Sequence, residues 1–155
     1  MIILENGEVF DLSTEVSIDW NGVSLPNKPE TFGTSYTFPE DLTQWTPNQI
    51  GGLYSKLGAY KGFVKVRLGN SEINVIAYTD LISAKMAQFT KQSIDAGEKR
   101  TYARENATFN EEIIELTKKL TDSKMKVKKW DTLYGLYDAQ MSVLSREISR
   151  RENKF

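Results

Sequence analysis

The chain has no cysteine and no histidine. That removes thiol nucleophiles, disulfides, Cys/His zinc sites, Ser-His-Asp triads and histidine acid–base chemistry. No apolar run approaches the roughly 18 residues a membrane span requires, so no membrane partner is expected. The opening Met1-Ile2-Ile3-Leu4-Glu5 lacks a basic n-region and does not read as a signal peptide. Neither a P-loop nor a dinucleotide-binding glycine pattern occurs. The carboxylates that could hold a metal, Glu111, Glu112 and Glu115, have no matching pair elsewhere and read as a solvated helix face. No cofactor or metal is expected, and no enzyme. A cytosolic or virion binding protein is the expectation.

What is present is one ordinary domain's worth of chain: 155 residues, of which 39% are hydrophobic, enough for a modest core. Lys+Arg number 20 and Asp+Glu 21, but the charges are unevenly placed. Residues 1–41 hold eight acids against the single base Lys28, and the remainder carries the excess of bases. Such asymmetry suggests partners of both signs.

The acidic part reads as short strands. Ile2-Ile3-Leu4-Glu5 and Glu8-Val9-Phe10-Asp11-Leu12 flank Asn6-Gly7. A second Asn-Gly, Asn21-Gly22, lies between Val16–Trp20 and Val23-Ser24-Leu25. Asn-Gly between apolar runs is a hairpin signal, because both turn residues must accept positive φ. Residues 26–41, with Pro26, Pro29, Gly33 and Pro39, read as a connector. Thr46-Pro47-Asn48-Gln49 then combines an N-cap, proline at the first helical position and a capping-box glutamine. Helix is expected over 50–60 and 79–92. Over 63–78 two patterns compete: Val64, Val66 and Leu68 alternate as in a hairpin, and the glycines from Gly51 to Gly69 each cost a helix about 1 kcal/mol.

From Tyr102 a stripe steps by four and three through Asn106, Phe109, Ile113, Leu116, Leu120, Ser123, Val127, Trp130, Tyr134, Tyr137, Met141, Leu144 and Ile148, apolar or aromatic except at Asn106 and Ser123. This spacing predicts one long coiled-coil helix, with Thr121-Asp122-Ser123 as a candidate break. Trp130, Tyr134, Tyr137, Met141, Leu144 and Ile148 are the expected oligomerisation residues of a homo-oligomer. Leu133, Leu136 and Val143 widen the stripe, which suggests that more than two helices meet.

Two basic stretches are candidate nucleic-acid contacts. Residues 42–71 contain Lys56, Lys61, Lys65 and Arg67, no acid, and the rings Trp45, Tyr54, Tyr60 and Phe63. Cations beside aromatic rings suit single strands, whose phosphates they neutralise and whose bases stack. The competing account is that Tyr60 and Phe63 are core and the lysines only solubilise. Lys118 to Lys129 holds six lysines against Asp122; Lys124 and Lys128, four apart, repel unless an anion lies across them. The terminal Ser145-Arg146-Glu147-Ile148-Ser149-Arg150-Arg151 places cations where a helix end favours them.

Leu53-Tyr54-Ser55-Lys56, the basic stretch through Arg67-Leu68, and a long helix bearing Trp130 together resemble the UvsY-type recombination mediators of tailed bacteriophages. The resemblance covers roughly residues 44–151. It implies a mainly helical oligomer that binds single-stranded DNA and works with a recombinase or a single-strand-binding protein. It also favours helix over 63–78. Carried over by position, the implied DNA contacts are Lys56, Lys61, Lys65 and Arg67; with the residue-level reading, the candidate set is Tyr54, Lys56, Tyr60, Lys61, Lys65, Arg67, Lys124 and Lys128. The expected fold is α+β, predominantly α: an acidic β-hairpin arm with its connector over 1–43, and a helical oligomerisation and DNA-binding domain over 44–155. The competing functions are a virion structural protein with a β head on a coiled-coil stalk, and an anti-defence protein whose acidic arm mimics DNA.

Overall fold

The computed structural model describes residues 2–3, 9–10 and 21–154. It is predominantly helical: α1 spans Pro47–Asp95, α2 Arg100–Thr108 and α3 Glu111–Glu152. Within the first 20 residues only two backbone strands, β1 (Ile2–Ile3) and β2 (Val9–Phe10), are described, with Ile2 opposite Phe10. The turn expected at Asn6-Gly7 and the strand expected over Val16–Trp20 lie outside the described residues.

α1 begins as its residues require. The Thr46 amide donates to Gln49 Oε1 at 2.8 Å and the Gln49 amide to Thr46 Oγ1 at 3.2 Å, closing the capping box around Pro47. The helix then continues unbroken through 63–78. Its buried positions include Leu57, Tyr60, Val64, Leu68, Ser71, Tyr78, Leu81 and Lys85, which recur at helical spacing. That continuous face outweighs both the glycine cost and the local Val64/Val66/Leu68 alternation. Gly69 and Asn70 are helical, with no positive φ.

The chain divides into two compact units. One comprises Trp20–Leu68 and Lys128–Phe155. Here the first turns of α1 run antiparallel to the last turns of α3. Ile50, Leu57, Tyr60, Phe63 and Val64 bury against Tyr137 and Leu144, with Trp130, Leu133, Tyr134, Met141 and Ile148 packed around them. Gly58 faces α3, where a Cβ would make ordinary van der Waals contact with the Met141 methyl at 3.6 Å. The expected connector is part of this core. Phe32, Tyr36, Phe38, Leu42 and Trp45 all pack on it, so this segment contributes side chains to the helical core. Asn21 and Gly22 both take positive φ (48° and 77°), as the turn signal demands. Val23–Leu25, however, is not a strand: Val23 is 65% exposed and contributes no apolar face to hold one.

The other unit contains Gly69–Val127. Its core is smaller: Tyr78, Leu81 and Leu116, with Ile82 and Leu120 against them. The long helix expected from Tyr102 is interrupted here. α2 stops at Thr108, Phe109 is 77% exposed, and Asn110 restarts the chain by accepting the Glu112 amide on its side-chain oxygen at 2.9 Å. Asparagine caps a new helix well because its oxygen satisfies an amide that has no intrahelical partner. The break therefore falls at 109–110, and Thr121-Asp122-Ser123 stays inside α3. Lys85, nearly buried, lies 3.3 Å from Glu112, which gives one carboxylate of the acidic trio an ion partner.

Candidate nucleic-acid interface

Helical geometry places Lys56, Lys61 and Lys65 along α1 and Lys128 and Lys129 at the start of the unit's α3 segment. The structure sorts the sequence-predicted residues into three groups.

Tyr60 is core. It is 1% exposed and packs with Phe32 edge-on (5.5 Å), Tyr36 (6.2 Å) and Tyr137 (5.5 Å), and its hydroxyl shares a hydrogen bond with Thr31 Oγ1 at 2.5 Å. A ring enclosed this way cannot stack on a base. Phe63 is buried too, edge-on to Phe32 and Trp130. Of the predicted stacking residues only Tyr54 keeps an open face, beside a shallow hollow of about 450 Å³ that Lys61, Asp138 and Ser142 also line.

The cations of α1 stand on these rings. Lys56 lies over Tyr36 and Tyr60 at 5.8 and 5.7 Å, Lys61 and Lys65 over Tyr134 at 5.1 and 5.0 Å, and Arg67 over Phe63 at 5.3 Å. Such contacts hold the cation while leaving its outer side to water. Lys61 has a second commitment: its ammonium donates to Asp138 Oδ1 at 2.5 Å, and that hydrogen bond raises its pKa. Lys65 is exposed and has no carboxylate partner among the described residues. Lys128 is likewise exposed, with no ion partner among the described residues, and Lys129 sits 4.8 Å over Trp130. In the other unit Lys118, Lys119 and Lys124 are exposed without an ion pair among the described residues, and Lys126 lies 3.8 Å from Asp122.

The expected oligomerisation stripe is occupied within the chain. Tyr137 and Leu144 are buried against α1, and Trp130, Tyr134, Met141 and Ile148 pack on the same cluster. Burial pushes the Tyr137 hydroxyl pKa up, and burial also raises that of Tyr36, which donates to Gln140 Oε1 at 2.5 Å. The stripe thus needs no second chain to leave water. In the last turns of α3 an outer pair seven residues apart stays exposed, Leu136 (47%) and Val143 (42%).

The terminal arginines serve the fold. Arg151 donates to the carbonyls of Trp45 (2.7 Å) and Leu42 (2.8 Å) and to Glu147 Oε1 (2.6 Å), pinning the end of α3 to the turn before α1. Arg150 grips the same Glu147 with two bonds, at 2.8 and 2.7 Å. Those hydrogen bonds, from Arg150 first and then Arg151, hold the Glu147 carboxyl at a pKa of about 2. Sequence reasoning missed Asp138 and this Glu147 cluster, because their partners lie 77 residues away for Asp138 and over 100 for Arg151.

Among the described residues no group of His, Cys, Asp or Glu is placed to hold a metal ion, and no helix is long and apolar enough to cross a membrane. No family model matches the chain, and comparisons with curated proteins and with solved structures give no match either.

Proposed function

We propose that this protein is a non-enzymatic bacteriophage protein that binds single-stranded DNA through phosphate contacts and assists recombination in the infected cell, as the UvsY-type mediators it resembles do. The observation that carries the reading is the set of exposed cations without carboxylate partners among the described residues, Lys65 and Lys128 in one unit and Lys118, Lys119 and Lys124 in the other. Exposed lysines of like charge gain most from a polyanion. With Tyr60 and Phe63 in the core, stacking contributes little, so binding is sequence-tolerant and strongly salt-dependent. The test is fluorescence anisotropy with a labelled oligothymidylate across a salt series. Each phosphate contact contributes a log–log slope of about −0.7, so Lys65→Ala with Lys128→Ala flattens the slope by roughly 1.4 if both engage. An unchanged slope removes those two residues from the interface; absence of binding removes the function.

A second reading, a virion structural protein, draws on the outer Leu136/Val143 pair. Two apolar side chains one heptad apart on an exposed helix form a seam for another helix. That reading predicts a defined oligomer by light scattering and no affinity for DNA.

A further inference from the structure

In the Gly69–Val127 unit, the distal turns of α1 and the first turns of α2 border a hollow of about 690 Å³. Its floor is aliphatic: Ile82, Met86 and Ile94 lie on one side of α1 over twelve residues, about 18 Å of helix at 1.5 Å per residue. Its rim is cationic: Lys91 from α1, Arg100 and Arg104 from α2. All three are exposed, none forms an ion pair with a described residue, and no carboxylate lines the hollow. The nearest acid ahead of α2, Glu98, is engaged by the Asn106 side-chain amide at 3.2 Å. Arg100 and Arg104 also border a second hollow, which Glu105 and Phe109 line.

We propose that this hollow is a docking groove for an amphipathic acidic helix of a partner protein. The surface has two features that select the occupant. Arg100 and Arg104 are four residues apart, about 6 Å along the helix, which is the rise between carboxylates at i and i+4 of a docked helix. Like-charged neighbours at this spacing repel, and two facing carboxylates relieve that repulsion through bidentate bonds. The aliphatic floor takes the apolar stripe of the same helix, in the helix-in-groove mode of recognition. No ring lines this floor, so it offers no stacking platform for bases, which separates it from a single-strand groove. The groove involves none of the lysines of the proposed DNA interface and stands independently of that reading.

The test uses the full chain and a fluorescein-labelled amphipathic helical peptide built only from leucine, alanine and glutamate, followed by anisotropy. Saturable binding is expected, with a loss of about tenfold or more in the double variant Arg100→Glu, Arg104→Glu, since like-charge juxtaposition strongly disfavours association. Ile94→Gln weakens binding while leaving the rim intact. A peptide with lysine in place of glutamate reverses the preference, binding the double variant better than the wild type, which a merely misfolded variant would not do. Equal affinity of wild type and double variant for the acidic peptide overturns the proposal. So does competition in which an oligothymidylate displaces the peptide from the wild type with the sensitivity to Arg100 and Arg104 that the peptide shows, because that assigns the groove to nucleic acid.

Discussion

Tyr60 separates the two accounts of the basic stretch, because a core ring and a base-stacking ring respond oppositely to substitution. The ring is enclosed by Phe32, Tyr36 and Tyr137, and its hydroxyl is bonded to Thr31. Tyr60→Phe keeps the packing and removes one hydrogen bond, a net cost of about 0.5–1.5 kcal/mol. The exposed Thr31 hydroxyl can turn to water, which places the cost at the lower end. Tyr60→Ala empties the centre of the aromatic cluster and costs about 3–5 kcal/mol, the range for removing a large buried ring. At about 2–4 °C per kcal/mol for a chain of this length, Tyr60→Phe lowers the melting temperature by a few degrees and Tyr60→Ala by roughly 6–20 °C.

Thermal melts followed by circular dichroism measure both shifts, and oligothymidylate anisotropy well below the transition measures binding. The expected outcome is that Tyr60→Phe binds DNA as the wild type does. A stacking residue would give the converse: Tyr60→Ala melting with the wild type while affinity falls by the 1–3 kcal/mol that one base–aromatic stack typically supplies. That pair of results would refute the placement of Tyr60 in the core.

The remaining predictions concern charge, backbone and seam. Glu147 has a folded pKa of about 2, below its ordinary value near 4.5, so its bonds to Arg150 and Arg151 add stability above pH 4.5 that is lost as pH falls from there towards 2. Glu147→Gln therefore shows a smaller fall in melting temperature across that window than the wild type does, and parallel curves would contradict it. Gly135 is exposed inside α3, and a β-carbon added there would meet nothing within 4 Å, so Gly135→Ala stabilises by about 0.5–1 kcal/mol; a loss of stability in urea titration would show that a contact forms there. Leu144→Ala costs about 2–5 kcal/mol because Leu144 is fully buried within the chain. If light scattering instead shows a folded, smaller species at unchanged stability, Leu144 serves assembly and not the core. Leu136→Asp leaves melting temperature nearly unchanged and tests the outer seam directly by mass.

Much of the helical architecture was legible, and for identifiable reasons. Thr46, Pro47 and Gln49 each carry a local instruction that the backbone follows regardless of distant partners. The stripe from Ile113 to Ile148 encodes its own buried face. Residues 63–78 were ambiguous because period-two and period-3.6 readings share Val64 and Leu68; the buried face continues through Tyr78 and Leu81, and its positions between Leu68 and Tyr78, Ser71 and Asn74, are polar and so leave a gap in the hydrophobic pattern. Phe109 was misread for the opposite reason. It keeps the heptad spacing, yet Asn110 offers a cap that ends the register, and a cap is a side-chain-to-backbone bond invisible to periodicity. The connector's turns were legible in its prolines and Gly33, but where the segment packs is decided by Phe32, Tyr36 and Phe38 between them.

The candidate site was legible in charge and illegible in geometry. A heptad stripe states that a helix must bury one face; it does not state whose side chains cover it. In this chain the covering face is supplied by α1, with Tyr60 meeting Tyr137, Gly58 meeting Met141 and Lys61 meeting Asp138 in one antiparallel register. The same rings that looked available to bases are consumed in that pairing, and the lysines beside them are held at the rim by Tyr134 and Trp130. Interleaved aromatics and lysines are therefore an ambiguous signal on a helix that has an internal partner. The spacing that would lay rings along a strand of DNA is also the spacing that lays them into a neighbouring helix and leaves only the ammonium groups outside. For such a helix the discriminating quantity is ring exposure. Here it removes Tyr60 and Phe63 from the candidate stacking rings and keeps Tyr54.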